Sequence, residues 1–358
     1  LPFFEKRMNT KPRIIASHCV PLREPRLHQL SKFPGSQIMS SPPMTEETVS
    51  IDTGNAMLEG TLSLPKETTP IQVVLLLAGS NEQDRNQNSA NAQFNIFNDI
   101  ADHLALHGIA SLRYDKRGCG NSGGNFDKAG HTDLVDDALV CAHFLQNRAD
   151  LSNTPLFLLG HGEGTLIAPQ VIAQSNGIEG QILLSPFLEN YASIIRRQAE
   201  KSLTEIAVLP GFKGKLIRFV LRLSGDQIAK QKKLIERIQR TSKSTIKIRK
   251  QVINAKWIRE MVNLDACIIH ASVKTNTLVI GGSKDLQSLP GDADELSGIL
   301  KGPVETHVID DLTHILRRDP KEPSTQHYSE LTEESVDAEL LEITVQWLSS
   351  QIKYSQST

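Results

Sequence analysis

No stretch of the 358-residue chain approaches the ~18 consecutive apolar residues of a membrane-crossing helix, which excludes a helical membrane protein. The first residues lack the apolar core and small-residue cleavage site of a secretory signal. Cysteine is scarce. Cys19, Cys119, Cys141 and Cys267 are scattered, with no C-x-x-C pair, which argues against a zinc site or a disulfide framework and fits a reducing, cytoplasmic compartment. No cofactor or metal is expected. Charge of either sign is not in excess: the formal balance of −2 gives no global pull toward nucleic acid. There is no internal repeat. What is present is ordinary for a water-soluble chain, with 39% apolar residues and room for one large α/β domain with an insertion, or for two domains.

Residues 1–47 read as a disordered or spurious N-terminal extension. Residues 1–38 are basic, proline-containing and aperiodic, and translation from upstream of a start at Met39 or Met44 would explain them; an organelle transit peptide is the competing reading. From Thr48 the pattern suits a hairpin: alternation over 48–51, a turn at Asp52-Thr53-Gly54-Asn55, and alternation again from Met57 to Leu64. Ile71 to Ala78 reads as a buried strand. Phe94, Phe97, Ile100, Ala101 and Leu104 mark one helix face, ended by Gly108. Strands follow at 109–114, 156–159 and 180–185, with a helix face between the first two at Leu134, Val135, Ala138, Leu139, Ala142 and Leu145. Further strands are expected at 277–280 and 304–309, with a helix over 292–300. A last helix carries Val336, Leu340, Ile343, Trp347 and Leu348. Strands alternating with helices imply βαβ units and a mostly parallel, doubly wound sheet covered on both faces.

The rhythm breaks over 188–262. No strand is expected there, and about 18 Lys/Arg stand against 6 Asp/Glu. The segment reads as a helical, basic cap, with 48–187 and 263–352 forming the core and 353–358 a tail. Ile194, Ile195, Leu216, Ile217, Phe219, Val220, Trp257 and Ile258 are candidates to line a substrate cleft under it. Solvated helix faces are the expected use of its charge; attraction to an acidic substrate or an anionic membrane surface is the competing one. It lacks the aromatic–basic interleaving of a nucleic-acid binder.

One short stretch carries chemistry. Gly160-His161-Gly162-Glu163-Gly164 follows the apolar run Leu156 to Leu159 and precedes the helix-like Thr165-Leu166-Ile167-Ala168. Strand, tight turn and helix are the layout of a nucleophile elbow, G-x-S-x-G, in which a serine sits on a strained turn. The outer glycines fit a crossing where strand and helix nearly touch. The central serine is missing: position 162 is glycine.

Four places together resemble the α/β-hydrolase superfamily, of the carboxylesterase and dienelactone-hydrolase-like sort that is also similar to serine aminopeptidase-type hydrolases. Gly79-Ser80 through Asp84-Arg85 resembles its G-S-G-x-x-D-R loop. Arg113-Tyr114-Asp115-Lys116-Arg117-Gly118-Cys119-Gly120-Asn121-Ser122 resembles its R-Y-D-x-R-G-x-G-x-S segment. Residues 160–164 resemble its G-H-S-E-G elbow, and Asp285 and Thr313-His314 sit where acid and base fall. The resemblance covers about 48–352, and each place lies at the C-terminal end of an expected strand, the edge where open α/β sheets bind ligands.

It implies an α/β-hydrolase fold with a helical cap insertion and ester hydrolysis through a Ser–Asp–His triad. His314 would be the base and Asp285 its orienting acid, with Gly162 a vacant nucleophile position. Backbone N–H groups of Glu163 and of Ser80 or Asn81 would hold the oxyanion. The chain departs from the pattern at Asn81, where glycine is usual, and at Glu82, where proline is common. Ser185, Cys119 and Thr165 read as structural rather than as substitute nucleophiles, and Glu163 as an anchor for neighbouring loops. Arg85, Arg113 and Arg117 read as partners of carboxylates such as Asp84 and Asp115. The substrate would be a small ester or related acyl compound. With no hydroxyl at 162, ester hydrolysis is expected to be very low. The alternative is a non-catalytic protein that binds a small molecule in the same pocket.

Overall fold

The computed structural model describes residues 44–355, apart from 67, 91 and 249. The extension expected over 1–47 thus falls outside the described residues, except for its last four. These belong to a strand rather than an extension, since 44–47 pair antiparallel with residues 62–65; in addition, Arg113 Nη2 lies 2.5 Å from Glu46 Oε1, and Arg148 Nη2 lies 2.9 Å from Glu47 Oε2.

The elements run β1 (Met44–Asp52), β2 (Met57–Pro65), β3 (Gln72–Leu77), α1 (Ile96–Leu106), β4 (Ile109–Tyr114), α2 (His131–Gln146), β5 (Leu156–His161), α3 (Gly164–Ile172) and β6 (Ile178–Leu184). After these come α4 (Tyr191–Val208), α5 (Gly211–Ser224), α6 (Gln227–Gln239), β7 (Thr245–Ile248), β8 (Gln251–Asn254), α7 (Ala255–Asn263) and α8 (Ala266–Ala271). The chain then returns to the sheet with β9 (Asn276–Gly282), α9 (Asp292–Ile299), β10 (Val304–Ile309), α10 (Tyr328–Leu331) and α11 (Ala338–Ser355).

Eight strands form one sheet in the order β1-β2-β4-β3-β5-β6-β9-β10. β1 and β2 make the expected antiparallel hairpin, β2 pairs antiparallel with β4, and every later pairing is parallel. The central strands are near-continuous apolar runs because both of their faces are covered. Side-chain alternation divides them between two cores. Val73, Leu75 and Leu77 join the cluster that includes α2 and α3, while Val74 and Leu76 join the one that includes α1 and α11. Phe157 and Trp347 meet edge to face in the second, with ring centroids 5.9 Å apart.

Two further sequence expectations need correction. The segment 188–262 contains a small antiparallel pair, β7–β8, where no strand was expected. Its alternation is short, but Ile246 and Ile253 bury into the core, and Ser244 O accepts the N–H groups of Ala255 and Lys256. At the other end, α11 continues to Ser355, so 353–355 are helical rather than tail. Val336 precedes that helix, its N–H held by Asp99 Oδ2 at 2.9 Å.

Candidate active site

The parallel strands all deliver their C-terminal ends to one edge, and the residues singled out above lie there. β5 runs into α3 through Gly162 and Glu163 with very little clearance. A Cβ on Gly160 would stand 2.2 Å from Gly164 O, and one on Gly164 would stand 2.0 Å from Leu77 O. Both outer glycines are therefore required by backbone crowding. Gly162 is different. Its φ is +55°, but a Cβ there would meet only ordinary contacts, the nearest being His314 Nε2 at 3.4 Å.

His314 lies in the loop after β10 and Asp285 in the loop after β9. Asp285 Oδ2 and Oδ1 lie 2.9 and 3.1 Å from His314 Nδ1, and Asp285 Oδ1 also accepts the N–H groups of Gln287 (2.7 Å) and Ser288 (3.0 Å). Burial alone would raise this carboxyl, but the His314 charge and hydrogen bond and the two backbone donors outweigh it and hold it below the ordinary carboxylate value. A carboxylate on Nδ1 leaves Nε2 facing position 162. The neighbouring Asp311 pairs instead with Lys284 Nζ at 2.8 Å.

His161 was not singled out from the sequence, yet it ties the elbow to His314. Its Nε2 lies 2.9 Å from His314 O and its Nδ1 lies 2.8 Å from Gln87 Oε1. Two acceptors would demand a charged ring, whereas burial, with His314 close by, pushes the His161 pKa down to about 3. A neutral ring donating from Nε2 requires the Gln87 amide turned over, so that its NH₂ donates to Nδ1; the unbonded, buried Gln87 Nε2 is then satisfied.

Glu163 does anchor its neighbours. Its Oε1 accepts from His131 Nδ1 at 2.8 Å and from Trp257 Nε1 of α7 at 2.7 Å, and Lys116 Nζ lies 4.0 Å from Oε2. These partners, led by the His131 hydrogen bond, overcome burial and keep the carboxyl below its usual pKa. Its backbone N–H is at the N-cap of α3, where a helix has no partner of its own to offer.

The loop after β3 hangs on the buried ammonium of Lys116. Lys116 Nζ donates to Gly79 O and, at 3.3 Å, to Asn81 O, while burial lowers its pKa. In a trans peptide the N–H opposes the C=O, so with Gly79 O turned to Lys116 the Ser80 N–H points away from it. Asn81 has a φ of 74°, a left-handed conformation that glycine adopts freely and that asparagine tolerates better than most residues. That reconciles Asn81 with a position where the family favours glycine. A cleft lined by Glu82, Gln83, Asp84, Asn88, Cys119 and Gly120 adjoins this loop.

The remaining candidates are structural. Arg85 Nη2 pairs with Asp115 Oδ2 at 2.8 Å, and Asp84 caps the backbone of Asn86 and Asn88 instead. Arg113 binds Glu46, Ser63 and Asn86, and Arg117 binds Asp137. The Cys119 thiol is pushed up to about 11 by burial, the reverse of an activated thiol. Ser185 is fully buried, with its carbonyl accepting from Ser288 Oγ at 2.8 Å. Thr165 Oγ1 donates to Gly162 O.

A mostly parallel sheet with a glycine-bounded turn after β5 and a hydrogen-bonded Asp285–His314 pair in the loops after β9 and β10 fits the α/β-hydrolase fold. The profile of the serine aminopeptidase, S33, family matches residues 88–321, and the chain belongs to that family. Esterase EstD of Thermotoga maritima is 25% identical over 265 residues, which are 72% of this chain and 58% of that protein. The chain therefore spans less than two thirds of that relative's length. Among solved structures, Est1E of Butyrivibrio proteoclasticus with bound ferulic acid has a TM-score of 0.55 at 16% identity, over 85% of this chain and 99% of its own. The Pyrococcus furiosus esterase Pf2001 has a TM-score of 0.55 at 15% identity, covering 90% and 97%. At those identities the two solved structures speak to fold alone.

Proposed function

We propose that the chain carries an ester-hydrolase site complete except for its nucleophile, acting on small acyl esters in its lineage and hydrolysing them very slowly, if at all, as written. The observation that carries this reading is the 3.4 Å between His314 Nε2 and a Cβ built on Gly162. A side chain there would project beside the base without displacing it. Asp285 would orient His314 and stabilise its charged form, and the amides of Glu163 and Ser80 or Asn81 would hold the oxyanion. The segment 188–262 would act as the cap: Trp257 bonds the elbow's Glu163, and Arg197 of α4 bonds Leu286 O and Gln287 O beside Asp285.

With a hydroxyl restored, its oxygen attacks the ester carbonyl while its proton passes to His314 Nε2. The alcohol leaves with that proton. Water then hydrolyses the acyl-enzyme by the same route, releasing the acid. Without it, only the oxyanion donors and binding remain, worth roughly 10³–10⁴-fold over water. Gly162→Ser should therefore raise turnover of a short-chain chromogenic ester by about 10²-fold or more. If the variant is folded and both proteins are inert on several esters, the triad assignment fails. A second reading, a non-catalytic small-molecule binder, is favoured by the lack of a reactive atom at 162 in a site otherwise assembled. A ligand retained by the protein that Gly162→Ser does not turn over would support it.

A further inference from the structure

The α5 helix turns its apolar side to solvent. Phe212, Leu216, Phe219 and Leu223 recur at i, i+4, i+7 and i+11, the spacing of one helical stripe. Such a stripe normally packs inward, but here Phe212 is 81% exposed, Phe219 59% and Leu223 74%. The helix is held to α4 by its other side. Arg218 Nη1 donates to Ile206 O of α4 at 3.2 Å and to Leu209 O of the connecting turn at 2.7 Å, and Gly214 lies against the same turn, where a Cβ would stand 2.2 Å from Leu209 O. Turning the aromatic stripe inward would break these hydrogen bonds.

The charge around the stripe is predominantly positive. Lys215 and Arg222 flank it and are exposed. Across 211–240 nine Lys/Arg stand against two Asp/Glu, with Lys232, Lys233 and Arg237 of α6, and Arg240 just past its end, also exposed. Apolar side chains bordered by cations on one surface helix match the requirements of an anionic bilayer surface: rings and aliphatic chains enter the headgroup–acyl boundary, and the cations meet the lipid phosphates. A second copy of the same face fits poorly, because pairing would set these cations against one another. Among the described residues no helix is long and apolar enough to cross a membrane, so the contact would be interfacial.

We propose that α5, with the adjoining basic surface of α6, is a docking face for anionic lipid bilayers. The test is flotation of the full chain with vesicles of phosphatidylcholine alone and of phosphatidylcholine with about one third phosphatidylglycerol. Recovery with the anionic vesicles should exceed that with the neutral ones about tenfold, and should fall as salt shortens the reach of the charges. Two variants separate the contributions. Phe212→Ser with Phe219→Ser and Leu223→Ser removes the stripe; Lys215→Glu with Arg222→Glu reverses the flanking charge. All five side chains are exposed, so circular dichroism and thermal unfolding should stay unchanged while vesicle recovery falls to the neutral-lipid level. Equal recovery with both vesicle types, no recovery, or full binding by both variants would overturn the proposal. So would a solution dimer that the triple variant dissociates in a protein that ignores vesicles, an outcome that assigns the face to a second copy. If a variant misfolds, the lipid and salt dependence of the unaltered chain still decides.

Discussion

Lys116 shows what a single buried residue contributes here. An ammonium taken out of water is costly, and burial depresses its pKa, but it draws the carbonyls of Gly79 and Asn81 toward it and sets the path of the loop that would hold an oxyanion. Lys116→Met preserves length and removes both hydrogen bonds. In a Gly162→Ser background it should lower kcat by about 10–100-fold with a much smaller change in KM, because oxyanion donors act mainly in the transition state. Unchanged kcat would mean that the loop is held by other contacts. At this scale the sequence was informative where chemistry is tied to chain order. His314 and Asp285, singled out by their places after strands and by the family resemblance, are brought within 2.9 Å of each other. His161 could not be singled out in this way, since its partners Gln87 and His314 are 74 and 153 residues away. The family pattern G-H-S-E-G was the one signal that could have drawn attention to it.

Among the elements, the β5–α3 crossing depends on absent side chains. Leu77 O belongs to a central strand and cannot retreat, so a methyl 2.0 Å from it forces the helix off the sheet. Gly164→Ala should cost several kcal/mol, read as loss of soluble protein or a large drop in thermal midpoint. Gly162→Ser, strained only by its positive φ, should cost about 1–2 kcal/mol. Comparable losses in the two variants would refute the distinction between a crowded glycine and a merely left-handed one. The hairpin β7–β8 escaped the sequence reading although Thr245-Ile246-Lys247-Ile248 does alternate. Two four-residue strands cannot stand alone, and these persist because Ile246 and Ile253 reach a core that sequence does not display.

Across the whole molecule, buried histidines set the acid limit of stability. His161 is held near a pKa of about 3 and His270 near about 4, both chiefly by burial. An unfolded chain protonates histidine below about 6.5. Between that value and the folded pKa the unfolded state binds more protons, so stability is complete above pH ~6.5 and falls as pH drops, by roughly 1 kcal/mol per pH unit for each ring. Asp285 and Glu163, with depressed pKa values, add losses only once the pH falls below the ordinary carboxylate value of about 4, where the unfolded chain takes up protons first. Unfolding midpoints from pH 8 to 4.5 should show a plateau and then a decline. His270 has both ring nitrogens unbonded, so His270→Leu should flatten part of that decline at little cost near pH 7.5. A variant with the same pH slope as the parent would refute its role.

The sequence by itself determined the strand–helix rhythm, the hairpin at the sheet's edge, the elbow, and the lack of a nucleophile at 162. Each is written in local periodicity, in glycine placement or in one side chain's chemistry. Only the tertiary structure decided that His314 Nε2 faces the empty position, that Lys116 supports the loop of Ser80 and Asn81, and that Phe212 and Phe219 face outward. Those facts depend on distances between residues far apart in the chain, and on which side of a helix finds a neighbour. Local pattern carries neither.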